Sequence, residues 1–442
     1  MLEECHAVLP DFTSYFAFSR KRSGYSGVAT YCAANATPYD AKEGIAGSLS
    51  AFDAASQSRI EEEFSAEELK ELDAEGRAVV TWHRAEEGAK SVAVINVYCP
   101  RADPERRDRR LYKLRFYKLL EMRADALLGA GHSVVIVGDV NTSHKQIDHC
   151  DPYEVRRGRT SEIVVQWTHW TGNLFHLFIR HLFNTLQKFE SQPGRQWLDH
   201  FLHVPGLDAP ASNEVQKKDK NDDDDDDDDS SEWKATAVQL PGAQFVDAFR
   251  QRHPDRKEAF TCWNTKLNCR ANNYGTRIDY VFVDRTLAAE SLSECEIHPD
   301  VEDSDHCPVS AELTLRLVPS EKSPQNCTKN FPEFSGRQQK LSQFFAKRTP
   351  VAGDGSAAQP PPAKKPREAK QQTTMRNFFQ SKAAKAVASE TVAVAGESRR
   401  REVEVTGEHL ERRVATASAW KSLFKGPPPA PNCRWVHLIS IW

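Results

Sequence analysis

The stretch from Ser91 to Cys150 constrains this chain most. It opens with "SVAVINVYCP", which alternates like a strand. It continues as "RLYKLRFYKLLEMRADALLGAG", with Leu111, Leu114, Leu119, Met122 and Leu127 at helical spacing and Gly129 and Gly131 ending the run. It closes with "VVIVGDVNTSHKQIDHC", in which four β-branched residues lead into Gly138, Asp139 and Asn141. Strand, helix and strand in that order predict an α/β domain. Further on, "TRIDYVFVD" (Thr276 to Asp284) alternates again. Ile278, Tyr280 and Phe282 share one face, and Asp279 lies on the other with Val281 and Val283.

The 442 residues leave room for two or three average domains. Hydrophobic residues make up 39% and the mean hydropathy is -0.62, so part of the chain is expected to stay unpacked. The net charge of -4 conceals an uneven distribution. Asp222 to Asp229 is an unbroken acidic run, whereas from Gly336 onward nineteen Lys+Arg face eight Asp+Glu. Such a basic tail suits an acidic or polyanionic partner, or is simply solvated. The ten cysteines contain no CxxC pair, which argues against a zinc module or a disulfide framework and fits a reducing compartment. "MLEECHAVLPDF" has neither a basic start nor an apolar core, unlike a secretory signal. The most apolar later stretch, Val164 to Phe183, is broken by His169, His176, Arg180 and His181 and makes a poor membrane span. A soluble intracellular protein is expected.

Residues 1–318 read as the globular part, with a polar loop over 212–232. From Pro319 the sequence becomes linker-like, as in "GDGSAAQPPPAKKPREAK". Within the globular part, four motifs each place a polar or proton-handling residue on or beside an apolar strand. They are Tyr98 in "NVYCP", Asp139 and Asn141 in "GDVN", Asp279 in "RIDY", and Asp305 and His306 in "SDHCPV". Singly, each is readily a turn, a cap or half-buried packing.

Taken in this order, the four motifs resemble the exonuclease III type of apurinic/apyrimidinic (AP) endonuclease, within the endonuclease/exonuclease/phosphatase superfamily. "FSRKRSGYSGVATYC", "IDHCD", "PGRQWLDHFL" and "FTCWNTKLNCRANNYGTRIDY" bring the resemblance closest to one branch of that family. It implies a four-layer α/β sandwich, two β-sheets flanked by helices, over residues 1–318. It also implies Mg²⁺-dependent hydrolysis of DNA 5′ to abasic sites and 3′-5′ trimming, with Mn²⁺ as an alternative ion. Cleaving a phosphodiester needs a placed nucleophile, charge neutralisation and help for the leaving oxygen. Hard divalent ions take carboxylate and amide oxygens. By the resemblance, Asp139 orients and deprotonates water and Asn141 holds it. Asp279 fixes His306, and Tyr98 approaches the phosphate or leaving oxygen. Asp139, Asn141, Asp305 and His306 surround the metal, and Trp263 and Ile278 border the pocket for the abasic sugar.

The chain also departs from the family. Family members begin with a strand carrying an Asn and then present a metal-binding Glu, and no residue here matches either. A sheet lacking its first strands, and half of the expected carboxylate pair, are therefore anticipated. Residues 152–188 match nothing in the family and read as an insertion or as untranslated sequence carried into the chain. In the tail, Gln338, Leu341, Phe344 and Phe345 have the QxxLxxFF spacing of a PIP box, the peptide that docks on the sliding clamp PCNA. Gln372, Met375, Phe378 and Phe379 form a second copy, and "AKKPREAK" suits nuclear import. The segment 419–442 resembles the start of a GRF-type zinc finger. It carries Cys433 alone, so no structural zinc is expected there. Three functions follow as alternatives: a nuclear DNA-repair nuclease, a phosphatase of the same superfamily, or a catalytically impaired chain that binds PCNA.

Overall fold

The computed structural model describes residues 2–47, 54–103, 105–152, 189–203 and 242–335, together with the backbone of 436–440. The chain opens with α1 (Glu4–Ala7) and the antiparallel pair β1 (Phe12–Ala17) and β2 (Val28–Ala33). There follow β3 (Asp40–Glu43), α2 (Ala54–Glu63), α3 (Ala66–Asp73), β4 (Ala78–Ala85), β5 (Val92–Tyr98), α4 (Arg107–Gly129) and β6 (Ser133–Asp139). Next come α5 (Pro193–Phe201), β7 (Phe245–Asp247), α6 (Ala248–Arg252), β8 (Cys262–Trp263), β9 (Gly275–Thr276) and β10 (Asp279–Asp284). The last elements are α7 (Arg285–Ser291), β11 (Leu292–Ile297), β12 (Val309–Leu313), β13 (Leu317–Val318) and β14 (Val436–Ser440).

A seven-stranded sheet runs in the order β13-β4-β5-β6-β10-β7, with β3 also paired to β4. The β5–β6 pair is parallel because α4 carries the chain back between them. Alternation along each strand decides which layer a residue meets. Ile95, Val134, Ile136, Tyr280 and Phe282 pack toward Phe116, Leu119 and Leu120 of α4 and Trp197 of α5. Their neighbours Val94, Val135, Val137, Val281 and Val283 pack toward Val309, Ala311 and Leu313 of β12, in the three-stranded sheet β11-β12-β14. Both faces of the central sheet are covered, which is why its strands read as continuous apolar runs. The result is a mixed α/β sandwich of helices, sheet and second sheet, with α6 and α7 setting Phe249 and Leu287 between the sheets.

One boundary differs from the sequence reading. Packed structure continues beyond residue 318, since Cys327 and Thr328 are fully buried. The Thr328 hydroxyl donates to Ala7 O at 2.5 Å and meets Ser14 Oγ at 2.6 Å, so the segment is pinned by buried polar contacts that its composition hid. Residues 319–335, assigned to the linker, therefore belong to the packed part. The segment 436–440, within the stretch 419–442 that resembles the start of a zinc finger, pairs antiparallel with β12, Leu438 opposite Ala311. "VHLIS" is β-prone and meets an otherwise open strand edge. The insertion 152–188 (from 153), the acidic loop 212–232 and both PCNA boxes lie outside the described residues. No described helix is long and apolar enough to cross a membrane.

Candidate active site

Three adjacent strands bring three polar residues to one level. Tyr98 ends β5 opposite Asp139, which ends β6, and Asp139 in turn lies opposite Asp279, which starts β10. The row sits at the carboxyl ends of the parallel pair, where α/β sheets commonly place ligands. Asp139 and Asp279 are 2% and 1% exposed.

Just past β6 the backbone of Asn141 is left-handed, φ +57°, a conformation Asn tolerates. The turn folds Asn141 back on Asp139: its N–H donates to Oδ1 at 2.7 Å and its Nδ2 to Oδ2 at 2.8 Å. Nδ2 also donates to Cys99 O at 2.9 Å. From behind, Lys113 Nζ of α4 donates to Asn141 O at 2.8 Å and to Thr142 Oγ1 at 2.6 Å. Burial pulls that ammonium down to about 8. Burial first, and then the charge of Asp279, push the Asp139 carboxyl well above the usual range.

His306 precedes β12. Its Nδ1 lies 2.9 Å and 3.1 Å from the Asp279 oxygens, and the Thr261 hydroxyl donates to Asp279 Oδ2 at 2.6 Å. The carboxylate therefore places the proton on Nδ1 and turns Nε2 outward. Burial opposes the charged imidazole, but the contacts with Asp279 and Cys262 outweigh it and hold His306 well above the usual histidine range. The loop carrying His306 is stitched to the β8 segment by Trp263 N–H to Asp305 O at 2.9 Å and Cys307 N–H to Thr261 O at 2.8 Å. Asp305 itself is exposed. Tyr98 is half-buried. The Arg77 guanidinium lies 4.8 Å from its ring centroid and donates to its carbonyl at 3.0 Å. Burial and the Asp139 charge raise the phenol.

The structure thus brings Tyr98, Asp139, Asn141, Asp279 and His306 together, with Asp305 next to His306. Half-buried Ile278 adjoins the row, its carbonyl accepting from Val140 N–H at 2.8 Å. Trp263 differs from the sequence reading. It is 3% exposed, packs in the inter-sheet core and donates from Nε1 to Asn273 Oδ1 at 3.1 Å. In a strand neighbouring side chains point to opposite faces, so Trp263 faces the core and Cys262 faces His306. The sequence reading also missed Thr261, although "FTCW" contains it. It missed Lys113 too, which belongs to none of the four motifs.

A second buried lattice supports the turn after Asn141. Asp148 is fully buried and accepts from Arg277 Nε at 2.8 Å and Nη2 at 3.0 Å, and from Arg250 Nη2 at 2.5 Å. Although burial opposes it, the two guanidinium groups hold the Asp148 carboxyl far below the usual range.

Asp139, Asn141 and Asp305 offer the oxygen donors a hard divalent cation takes. Asp139 belongs to no group of three convergent His, Cys, Asp or Glu ligands among the described residues, so no closed cage exists. The set fits a cation that keeps most of its waters, as Mg²⁺ does beside one or two carboxylates and a substrate phosphate. The buried, like-charged Asp139 and Asp279 are the pair that such a cation relieves.

A two-sheet sandwich with this row at its strand ends is the frame of an exonuclease III-type phosphodiester hydrolase. No family model matches the chain. The curated DNA-(apurinic or apyrimidinic site) endonuclease 2 of Xenopus laevis is 36% identical over 98% of this chain and 82% of its own length. The mouse and human proteins of that name are 39% and 38% identical over 78% of this chain, and the chain spans 56% of their length. The crystal structure of the Xenopus laevis APE2 catalytic domain superposes with a TM-score of 0.57 at 40% identity, covering 76% of this chain and 87% of that one. The chain belongs to the AP endonuclease 2 family of DNA-repair nucleases.

Proposed function

We propose that this chain hydrolyses the DNA backbone 5′ to abasic sites and trims 3′ ends with Mg²⁺, or Mn²⁺ in its place, and that it works in the nucleus beside PCNA. The observation that carries the reading is the Tyr98–Asp139–Asp279 row with His306 held by Asp279. Asp139, its carboxyl raised by burial, takes the proton of an attacking water near neutral pH, and Asn141 keeps that carboxylate aimed. The His306 imidazolium faces the phosphate charge through Nε2, and Tyr98 lies on the far side of Asp139 to meet the leaving oxygen. Bound at Asp139, Asn141 and Asp305, Mg²⁺ would supply charge neutralisation for the phosphate. Ile278 borders the extruded sugar. Gln338, Leu341, Phe344 and Phe345, with Gln372, Met375, Phe378 and Phe379 as a second box, would dock on PCNA.

The test is Mg²⁺-dependent cleavage of a duplex containing one abasic site, by this chain and by Asp139→Ala. Cleavage that disappears in the variant supports the reading. No cleavage by either chain favours a second one, that of a PCNA-binding relative without catalysis. Its supporting observation is that Asp139 belongs to no group of three convergent His, Cys, Asp or Glu ligands among the described residues.

A further inference from the structure

We propose that Cys262, Asp305 and His306 form a site for a thiophilic divalent cation, Zn²⁺ above all, set on the rim of the catalytic row. One ligand atom from each, Sγ, a carboxylate oxygen and a ring nitrogen, lie within 4.8 Å of one another. Tetrahedral zinc with bonds of roughly 2.0–2.3 Å sets ligand separations near 3.4–3.6 Å. Closing the cluster thus takes about an ångström of side-chain movement. The backbone keeps that movement small, because Cys262 and His306 are bridged directly across the β8 edge.

Three features make the cluster more than a coincidence of residue types. Asp279 occupies His306 Nδ1 at 2.9 Å, which leaves Nε2 as the ring's ligand atom. A carboxylate behind a histidine is the arrangement that orients metal-bound imidazoles. Thr261 in turn fixes Asp279 at 2.6 Å, so the second layer is itself satisfied. The third is softness: a thiolate favours Zn²⁺ strongly over Mg²⁺, so Cys262 selects a different ion from the one Asp139 and Asn141 take, and Zn²⁺ would draw the shared Asp305 away from that set. Cys262 and His306 are half-buried and Asp305 is exposed, leaving the cation a route from solvent and a fourth position for water. Binding forms Zn–S, Zn–N and Zn–O bonds and releases the Cys262 thiol proton and the His306 Nε2 proton to solvent.

Seated there, Zn²⁺ removes the His306 imidazolium from the catalytic row. Micromolar Zn²⁺ should then inhibit the nuclease even in excess Mg²⁺. That consequence rests on the nuclease reading; the binding itself does not.

The experiment uses the full chain and Co²⁺ as a spectroscopic probe for Zn²⁺. A near-ultraviolet thiolate-to-Co²⁺ charge-transfer band should appear in the parent chain and be displaced by Zn²⁺. Cys262→Ser should abolish the band and weaken Zn²⁺ binding at least tenfold, measured by competition with a chromophoric chelator. Cys5→Ser is the control, because exposed Glu3, Cys5 and His6 form a competing cluster at the other end of the described chain. A band that survives Cys262→Ser, or is lost in Cys5→Ser, overturns the proposal. Zn²⁺ binding that depends on Cys262 without any inhibition leaves the site standing and removes His306 from the catalytic reading.

Discussion

Replacing Asp279 by Asn tests the site more sharply than truncating it. The amide keeps the shape of the carboxylate, and the Thr261 hydroxyl can still donate to its oxygen, so the fold should survive. The charge paired with His306 disappears. The two contacts at 2.9 and 3.1 Å are charge-assisted, worth about 1.5–3 kcal/mol in such a setting. His306 is only 12% exposed, so solvent screens the pair little. Losing that interaction together with the ring's orientation should lower single-turnover cleavage roughly 10²–10⁴-fold. Stability should change its pH dependence as well. In the parent chain the folded pKa of His306 lies above its ordinary value. Its contribution is complete below an unfolded pKa of about 6.5 and is lost as pH rises toward the folded value. The slope from this group is about 1.4 kcal/mol per pH unit. Urea unfolding between about pH 7 and 9 with chelator present should show that slope in the parent chain and lose it in Asp279→Asn. Equal slopes, with cleavage within threefold of the parent, would refute the account of His306.

Asp148→Ala leaves Arg277 with Asp247 as its only carboxylate and removes the carboxylate partner of Arg250, and should cost about 3–5 kcal/mol in urea unfolding. In the parent chain the depressed Asp148 carboxyl contributes stability present above about pH 3.9 and lost as pH falls toward its folded value, so acid unfolding should begin there. Trp263→Ala should cost about 3–5 kcal/mol while leaving discrimination between abasic and intact duplexes unchanged; Ile278→Ala should do the reverse in cleavage assays. Phe344→Ala with Phe345→Ala should weaken capture by PCNA beads without altering cleavage of an abasic duplex, and adding Phe378→Ala with Phe379→Ala should abolish it; capture by the fourfold variant would refute the docking.

How legible all this was depends on distance along the chain. The alternation of β5, β6 and β10 and the periodicity of α4 are local patterns, so an α/β domain could be read directly, whereas the layered sandwich came from the resemblance. The motifs around Asp139, Asp279 and His306 could be read as well, because each is short and contiguous. The neighbours that make them work could not. Lys113 donates to Asn141 across 28 residues of chain and Thr261 to Asp279 across 18, and neither carries a pattern of its own. The orientation of Trp263 was hidden for the same reason. "FTCWN" shows which residues stand near the site, but only pairing with Thr276 and the bridge to His306 decides which face each side chain takes. Thr328 was lost in a polar stretch because its partners, Ala7 and Ser14, lie more than three hundred residues away.

The row across β5, β6 and β10 makes the chemistry a gauge of strand alignment. Tyr98, Asp139 and Asp279 meet only at one pairing register. A slip of one residue on β10 would present Ile278 or Tyr280 to Asp139 and turn every valine of that strand toward the helices. Such a mispaired chain could stay compact and still be inert. A single inserted residue within β6 or β10 should therefore abolish catalysis outright, and turnover can serve as a sensor of correct assembly during refolding.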